Sequence, residues 1–95
     1  MSEIRVVATM VAKPESLAEV EIALLRVVAP SRQDPGCVSY VLHQDMAEPT
    51  RFVFIETWAS QQALDQHNQT AHLQQLIKQV KPLLSVLDVK LLQPL

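Results

Sequence analysis

A single cysteine, Cys37, cannot close an internal disulfide, so nothing in the chain asks for an oxidising compartment. A single glycine, Gly36, leaves no glycine-rich loop of the kind that cradles phosphate groups. Positive charge is scarce as well. Eight Lys and Arg against ten Asp and Glu give a formal charge of −2, and the basic residues are scattered. That pattern offers no footprint for a phosphate backbone and excludes nucleic acid as an expected partner. Long apolar runs are missing: the longest uncharged apolar segment, Val6 to Ala12, is far short of a membrane span. The opening Met1-Ser2-Glu3-Ile4-Arg5 has neither the basic end nor the apolar stretch of a signal peptide. A cytoplasmic protein with no membrane partner is the expectation. Ninety-five residues make one domain, 1–95, of a size that buries roughly 60–65% of its unfolded surface and gains from a partner's surface.

What is present is periodic. Ile4 to Ala12 is rich in β-branched residues and apolar on both alternations, Ile4, Val6, Ala8 and Met10 on one side and Val7 and Val11 on the other. Such a strand is to be covered twice. Pro14 suits the first turn of a helix, where its missing N–H costs nothing, and Leu17, Val20, Leu24, Val27 and Val28 recur at three- and four-residue spacing up to Pro30, which is expected to kink or end the helix. Asp34-Pro35-Gly36 reads as a turn into a strand over Cys37 to Asp45, with Val38, Tyr40 and Leu42 on one face and Cys37, Ser39, Val41 and His43 on the other. Met46 to Thr50 has hairpin length before the strand Arg51 to Trp58. Ser60 is an N-cap for a helix over Gln61 to Gln69, and Thr70 re-caps a second piece that ends at Pro82. Val86 to Leu92 is the last strand. The order β-α-β-β-α-β is the ferredoxin-like α+β arrangement, a four-stranded antiparallel sheet with its helices on one face. A strand set apolar on both faces leaves a second surface bare, so two copies are expected to meet sheet to sheet as a homodimer.

Site-capable side chains concentrate between Glu56 and His72. Alternation along Arg51 to Trp58 puts Phe54, Glu56 and Trp58 on one face, and the following helix carries His67 back over it. A carboxylate between two aromatics is costly to bury unpaired, so Glu56 is expected to meet a cation such as Arg51, or a histidine. Blander placements compete: His67 and His72 as polar helix-surface or capping residues, Trp58 as core, and Cys37 and His43 as structural. Metal binding is not expected, because His67 and His72 are five residues apart and a regular helix turns them about 140° from each other.

Four segments together resemble the antibiotic biosynthesis monooxygenase superfamily, especially its small bacterial quinol-monooxygenase-like members. They are Pro35-Gly36-Cys37-Val38-Ser39-Tyr40, Arg51 to Trp58, Ala63 to His72 and Leu91-Leu92-Gln93-Pro94. The most specific parts are the Glu56/Trp58 pair and the His67/Thr70/His72 spacing. The resemblance implies a dimeric α+β barrel and, in enzymatic members, oxidation of quinol-type aromatics by O₂ without metal, haem or flavin. Relatives that degrade haem carry an Asn on the first strand, and Glu3 to Ala12 contains none.

The residues meet the chemical requirements of such a reaction. A phenolate passes an electron to O₂ far more readily than a phenol does, so the protein must supply a base, a dry enclosure and an aromatic wall. His67 is the expected base, Glu56 the group that orients it, and Trp58 completes the catalytic set. Tyr40 and Phe54 are expected to wall the substrate, and His72 to hydrogen-bond a substrate oxygen or a helix end. Two further readings stay open at this level: a non-catalytic dimeric module binding a small hydrophobic ligand, and an enzyme degrading or isomerising a small, phosphorylated carbonyl signal.

Overall fold

Strands β1 (Ile4–Ala12), β2 (Cys37–Gln44), β3 (Arg51–Trp58) and β4 (Leu84–Leu92) form one antiparallel sheet in the order β2-β3-β1-β4. The structure is a computed structural model and describes residues 3–95. Helices α1 (Leu17–Arg32), α2 (Gln61–Gln69) and α3 (Ala71–Val80) complete the ferredoxin-like α+β fold anticipated from the residue pattern. The β1 and β3 registers align Val6 with Glu56 and Ala8 with Phe54. Small apolar side chains of β1 therefore flank the carboxylate row of β3.

The core lies between the sheet and the helices. On β3, Phe52, Phe54, Glu56 and Trp58 are buried while the intervening residues are not, as strict alternation requires. From α1, Val20, Ala23, Leu24 and Val27 pack down on them, a stripe at helical spacing. The opposite face of the sheet carries Val7, Val41, Val53 and Ile55, of which Val41 and Ile55 remain exposed.

Three local expectations are corrected. Helix α1 does not stop at Pro30 but runs on to Arg32, because a proline in the last turn forfeits only one hydrogen bond and the Gln33 N–H closes the end on the Pro30 and Ser31 carbonyls. Strand β4 begins at Leu84, two residues earlier than read, straight from a 3₁₀ turn over Lys81–Leu83. In β2 the register slips between Cys37 and Ser39. The bulge inverts the alternation, so Cys37 packs against the core and Val38 is left exposed.

Gly36 sits in the turn between α1 and β2 with φ of 82°, and its carbonyl accepts from the Ala59 N–H at 2.8 Å, tying the start of β2 to the end of β3. A Cβ at this position would collide with the Ala63 side chain at the start of α2. Left-handed backbone and collision act together, so Gly36→Ala is expected to lower the melting temperature by on the order of 10 °C or more, measured by circular dichroism.

Candidate active site

Two capping residues and one turn fix the polar groups of the site. The Ser60 side chain accepts from the Ala63 N–H and starts α2, which buries Ala63, Leu64 and His67 on one side. Helix α2 then ends at Thr70. The Thr70 hydroxyl donates to the His67 carbonyl at 2.7 Å and accepts from the Leu73 N–H, so one side chain closes α2 and opens α3. The break turns α3 so that His72 comes back beside His67, their ring centroids 6.1 Å apart. Asp34 meets them from the opposite side, held in the turn after α1 by its N–H on the Ser31 carbonyl at 3.1 Å.

Asp34 Oδ2 lies 2.7 Å from His67 Nδ1 and 2.9 Å from His72 Nε2. An ionised carboxylate only accepts, so each imidazole presents an N–H to the same oxygen. This partner of His67 was not among the expected residues. Glu56, expected to orient the imidazole, instead accepts from the Trp58 indole N–H at 2.8 Å through Oε1. The reason is alternation: residues two apart on one strand stand side by side, and a buried indole N–H takes the nearest acceptor. Arg51 pairs with Glu48 at 2.9 Å and is not the partner of Glu56.

Beside these groups lies a cavity of about 430 Å³ between the sheet and helices α2 and α3, within the range of small-molecule sites. Tyr40, Phe54, Glu56 and His67 line it together with Val6, Ala8, Leu64 and Leu76, while Asn68, Gln74 and Lys78 stand along one side. Among the described residues, Ser31 Oγ is the one fully buried side-chain polar atom without a hydrogen-bond partner. Glu56 and His67 line the cavity, and His67 Nε2 and Glu56 Oε2 have no hydrogen-bond partner among the described residues, which leaves both atoms free for a molecule bound there.

Placement divides the six expected residues. Glu56, His67, Tyr40 and Phe54 line the cavity. Trp58 does not; it is wholly buried behind them, its ring centroid 4.4 Å from that of His67, and acts on the cavity only through Glu56 and His67. His72 does not line the cavity either; its Nε2 is engaged by Asp34. Tyr40 links the aromatic group, with centroids 5.1 Å from Phe54 and 5.5 Å from His67.

Burial sets the electrostatics. It pushes the Glu56 carboxyl up to about 7, against the opposing hydrogen bond from Trp58. The same loss of solvent lowers His67, with the Asp34 hydrogen bond and charge pulling the other way. The Tyr40 phenol is raised by burial first and then by the charge of Glu56, which keeps it protonated. Near neutrality the cavity therefore presents a neutral imidazole nitrogen and a carboxyl group close to half-protonated.

A stability consequence follows for Glu56. The unfolded carboxyl ionises near 4.5 and the folded one near 7, so between these values the folded state holds more protons and stability falls as pH rises. Glu56→Gln is expected to flatten this slope and to exceed the parent in stability at pH 8, by up to roughly 3 kcal/mol. Urea melts of the parent and of Glu56→Gln at pH 5 and pH 8 measure it, because the lowered His67 pushes the parent's stability the other way and is common to both proteins; a stability difference between the two that is the same at pH 5 and pH 8 would contradict the assignment.

Asp34, His67 and His72 also form a cluster whose donor atoms lie within 4.8 Å of one another. As they stand, both imidazole nitrogens are at hydrogen-bonding distance from one carboxylate oxygen, the arrangement of a bridged pair.

A sequence profile described as antibiotic biosynthesis monooxygenase matches residues 3–79. The provisionally named monooxygenase YcnE of Bacillus subtilis is 37% identical over 78 residues, covering 81% of this chain and 82% of its own. An uncharacterized Synechocystis protein is 34% identical over 73 residues, 77% of this chain but only half of its own length. A crystal structure from Pseudomonas aeruginosa superposes with a TM-score of 0.94 at 33% identity, over all of this chain and 96% of the other. No helix among the described residues is long and apolar enough to cross a membrane.

Proposed function

The chain belongs to the antibiotic biosynthesis monooxygenase family, and on that footing we propose that it is a cofactor-independent monooxygenase that oxidises a quinol-like or polyphenolic molecule with O₂. The observation that carries this reading is the pairing, in one largely apolar cavity, of an unoccupied imidazole nitrogen on His67 with the raised carboxyl of Glu56.

In this mechanism Phe54 and Tyr40 hold the substrate ring, and His67 Nε2 takes the proton of one phenolic hydroxyl. Protonated Glu56 donates a hydrogen bond from Oε2 to a second substrate oxygen. The phenolate transfers one electron to O₂, giving a semiquinone and superoxide side by side. The two radicals combine with formation of a carbon–oxygen bond, and the peroxide so formed takes back the proton held on His67 Nε2, which returns the imidazole to its neutral form. The resulting hydroperoxide then loses water: its O–O bond breaks, the proton on that carbon leaves, and a carbonyl forms. A hydroquinone and O₂ thus yield a hydroxyquinone and one water, with the substrate as its own reductant. An apolar cavity suits the radical pair because it withholds water and protons that would quench it.

Menadiol and ¹⁸O₂ provide the direct test. Expected are oxygen uptake above the uncatalysed rate and a hydroxyquinone carrying one ¹⁸O atom. Uptake without label in the product would make the protein an oxidase, and binding of the quinol with no added uptake would favour a ligand-binding module instead.

Acid–base roles predict a bell-shaped pH dependence of kcat/KM. Activity requires neutral His67, whose pKa lies below its ordinary value, and protonated Glu56, so the alkaline limb should fall near 7. Glu56→Gln, a permanent hydrogen-bond donor, is expected to lose that limb. Activity that rises through pH 7 in the parent would instead identify Glu56 as the base.

We also propose a homodimer closed across the outer sheet face. Val41 and Ile55 are 41% and 47% exposed there, beside the exposed Val86 and Leu92 of β4, more apolar surface than an isolated small domain usually leaves in water. Light scattering should return about twice the chain mass of 10.7 kDa.

A further inference from the structure

We propose that Asp34 is the positioning residue of this site: its carboxylate selects which nitrogen of His67 faces the cavity, and His72 holds that carboxylate in place. The inference rests on the reading of His67 as the base, but its central claim concerns a proton position that exists without substrate.

An isolated imidazole is free to carry its proton on either nitrogen, and only the unprotonated one can act as a base. His67 is 2% exposed, and the sole hydrogen-bond partner of its ring among the described residues is Asp34 Oδ2, 2.7 Å from Nδ1. Because that oxygen can only accept, the proton must reside on Nδ1 and Nε2 must carry the lone pair. The lone pair is then on the cavity side. Without Asp34 the ring gains nothing from a proton on Nδ1, and a proton on Nε2 would turn the cavity-facing atom from a base into a donor.

His72 explains why the carboxylate stays where it is. Its Nε2–H donates to the same Oδ2 at 2.9 Å, and its side chain remains 27% exposed while that of Asp34 is 10% exposed. A carboxylate gripped by a single imidazole could rotate and offer its other oxygen. Donation from two directions to one oxygen fixes it. The second donor also draws off part of the negative charge, so His67 is oriented without being made so basic that it stays protonated near neutrality. The residues come from three separate elements, the turn after α1, the last turn of α2 and the first turn of α3, which the Thr70 cap brings together.

Long-range ¹H–¹⁵N spectra of the uniformly labelled full chain test the proposal directly, with the His67 signals assigned by their loss in His67→Gln. Expected in the parent at neutral pH is a ring protonated at Nδ1 with an unprotonated Nε2. Asp34→Ala should move His67 to the form protonated at Nε2 and lower kcat on menadiol by about 10²-fold, with KM little changed. Asp34→Asn, which keeps an acceptor oxygen without the charge, should retain the Nδ1 proton and recover part of the rate. His72→Phe should broaden or split the His67 signals with a smaller loss of kcat.

A parent His67 already protonated at Nε2, or one whose tautomer is indifferent to Asp34→Ala in a folded protein, would overturn the proposal. So would zinc titration that shifts both rings stoichiometrically at micromolar concentration, since the cluster would then be a metal site. If menadiol is not oxidised at all, the spectra still decide the proton position. A failure of the functional reading is thereby separate from a failure of this one.

Discussion

Replacing His67 by alanine is expected to lower oxygen uptake on a hydroquinone by about 10²- to 10⁴-fold, the usual worth of a positioned general base, while the fold survives. The loss should fall on kcat, because the walls that hold the ring, Phe54 and Tyr40, stay in place. Removal of a nearly buried imidazole also leaves Asp34 with one donor instead of two, so some destabilisation accompanies the loss. Far-ultraviolet circular dichroism and a thermal melt separate the two effects. Added imidazole should restore part of the rate in the truncated site. Full activity of His67→Ala on an intact fold would remove His67 from the mechanism and leave Glu56 as the remaining candidate base.

The largest effect on stability is expected at Trp58. Its side chain is wholly buried, faces Tyr40 edge-on with centroids 6.3 Å apart, lies 4.4 Å from the His67 ring and donates to Glu56. Trp58→Ala removes this volume together with the indole N–H that a buried carboxyl accepts. A change of about 3–5 kcal/mol follows from the cavity alone, a large share of the roughly 5–15 kcal/mol that holds a typical domain folded. For a chain of this size, each kcal/mol is worth about 4–8 °C, so a melting temperature at least roughly 12 °C below that of the parent is expected. Trp58→Phe is the informative companion. It retains most of the packing but not the indole N–H, and since that bond is what restrains the upward shift of Glu56, the alkaline limb of activity should move to higher pH. A Trp58→Phe variant with the parental limb would show that the indole bond has no hold on Glu56.

Several parts of this fold were readable from residue order because their causes are local. Ser60 and Thr70 cap the two helical pieces as expected, since each needs only a hydroxyl three residues ahead of a free N–H. The buried row Phe54, Glu56, Trp58 follows from a two-residue period that no distant contact can alter. Helix α1 outran Pro30 because a proline near a helix end removes little, and the bulge at Cys37 was invisible because a register slip is set by the partner strand. Asp34 is the main omission. In an Asp-Pro-Gly turn its side chain has a sufficient local role, and nothing nearby signals a partner 33 residues away.

The amino-acid order by itself determined the element types, the antiparallel ferredoxin-like arrangement, the family resemblance and the set of polar side chains that reach the helix-covered face of the sheet. All of these depend on periodicity, capping and composition, which act over a few residues. Only the tertiary structure decided the pairing: Glu56 with Trp58, Asp34 with both imidazoles, and Trp58 behind the cavity. Hydrogen bonds and burial are shared among elements far apart along the chain. Which acid meets which base is therefore settled by how turns and caps bring those elements together.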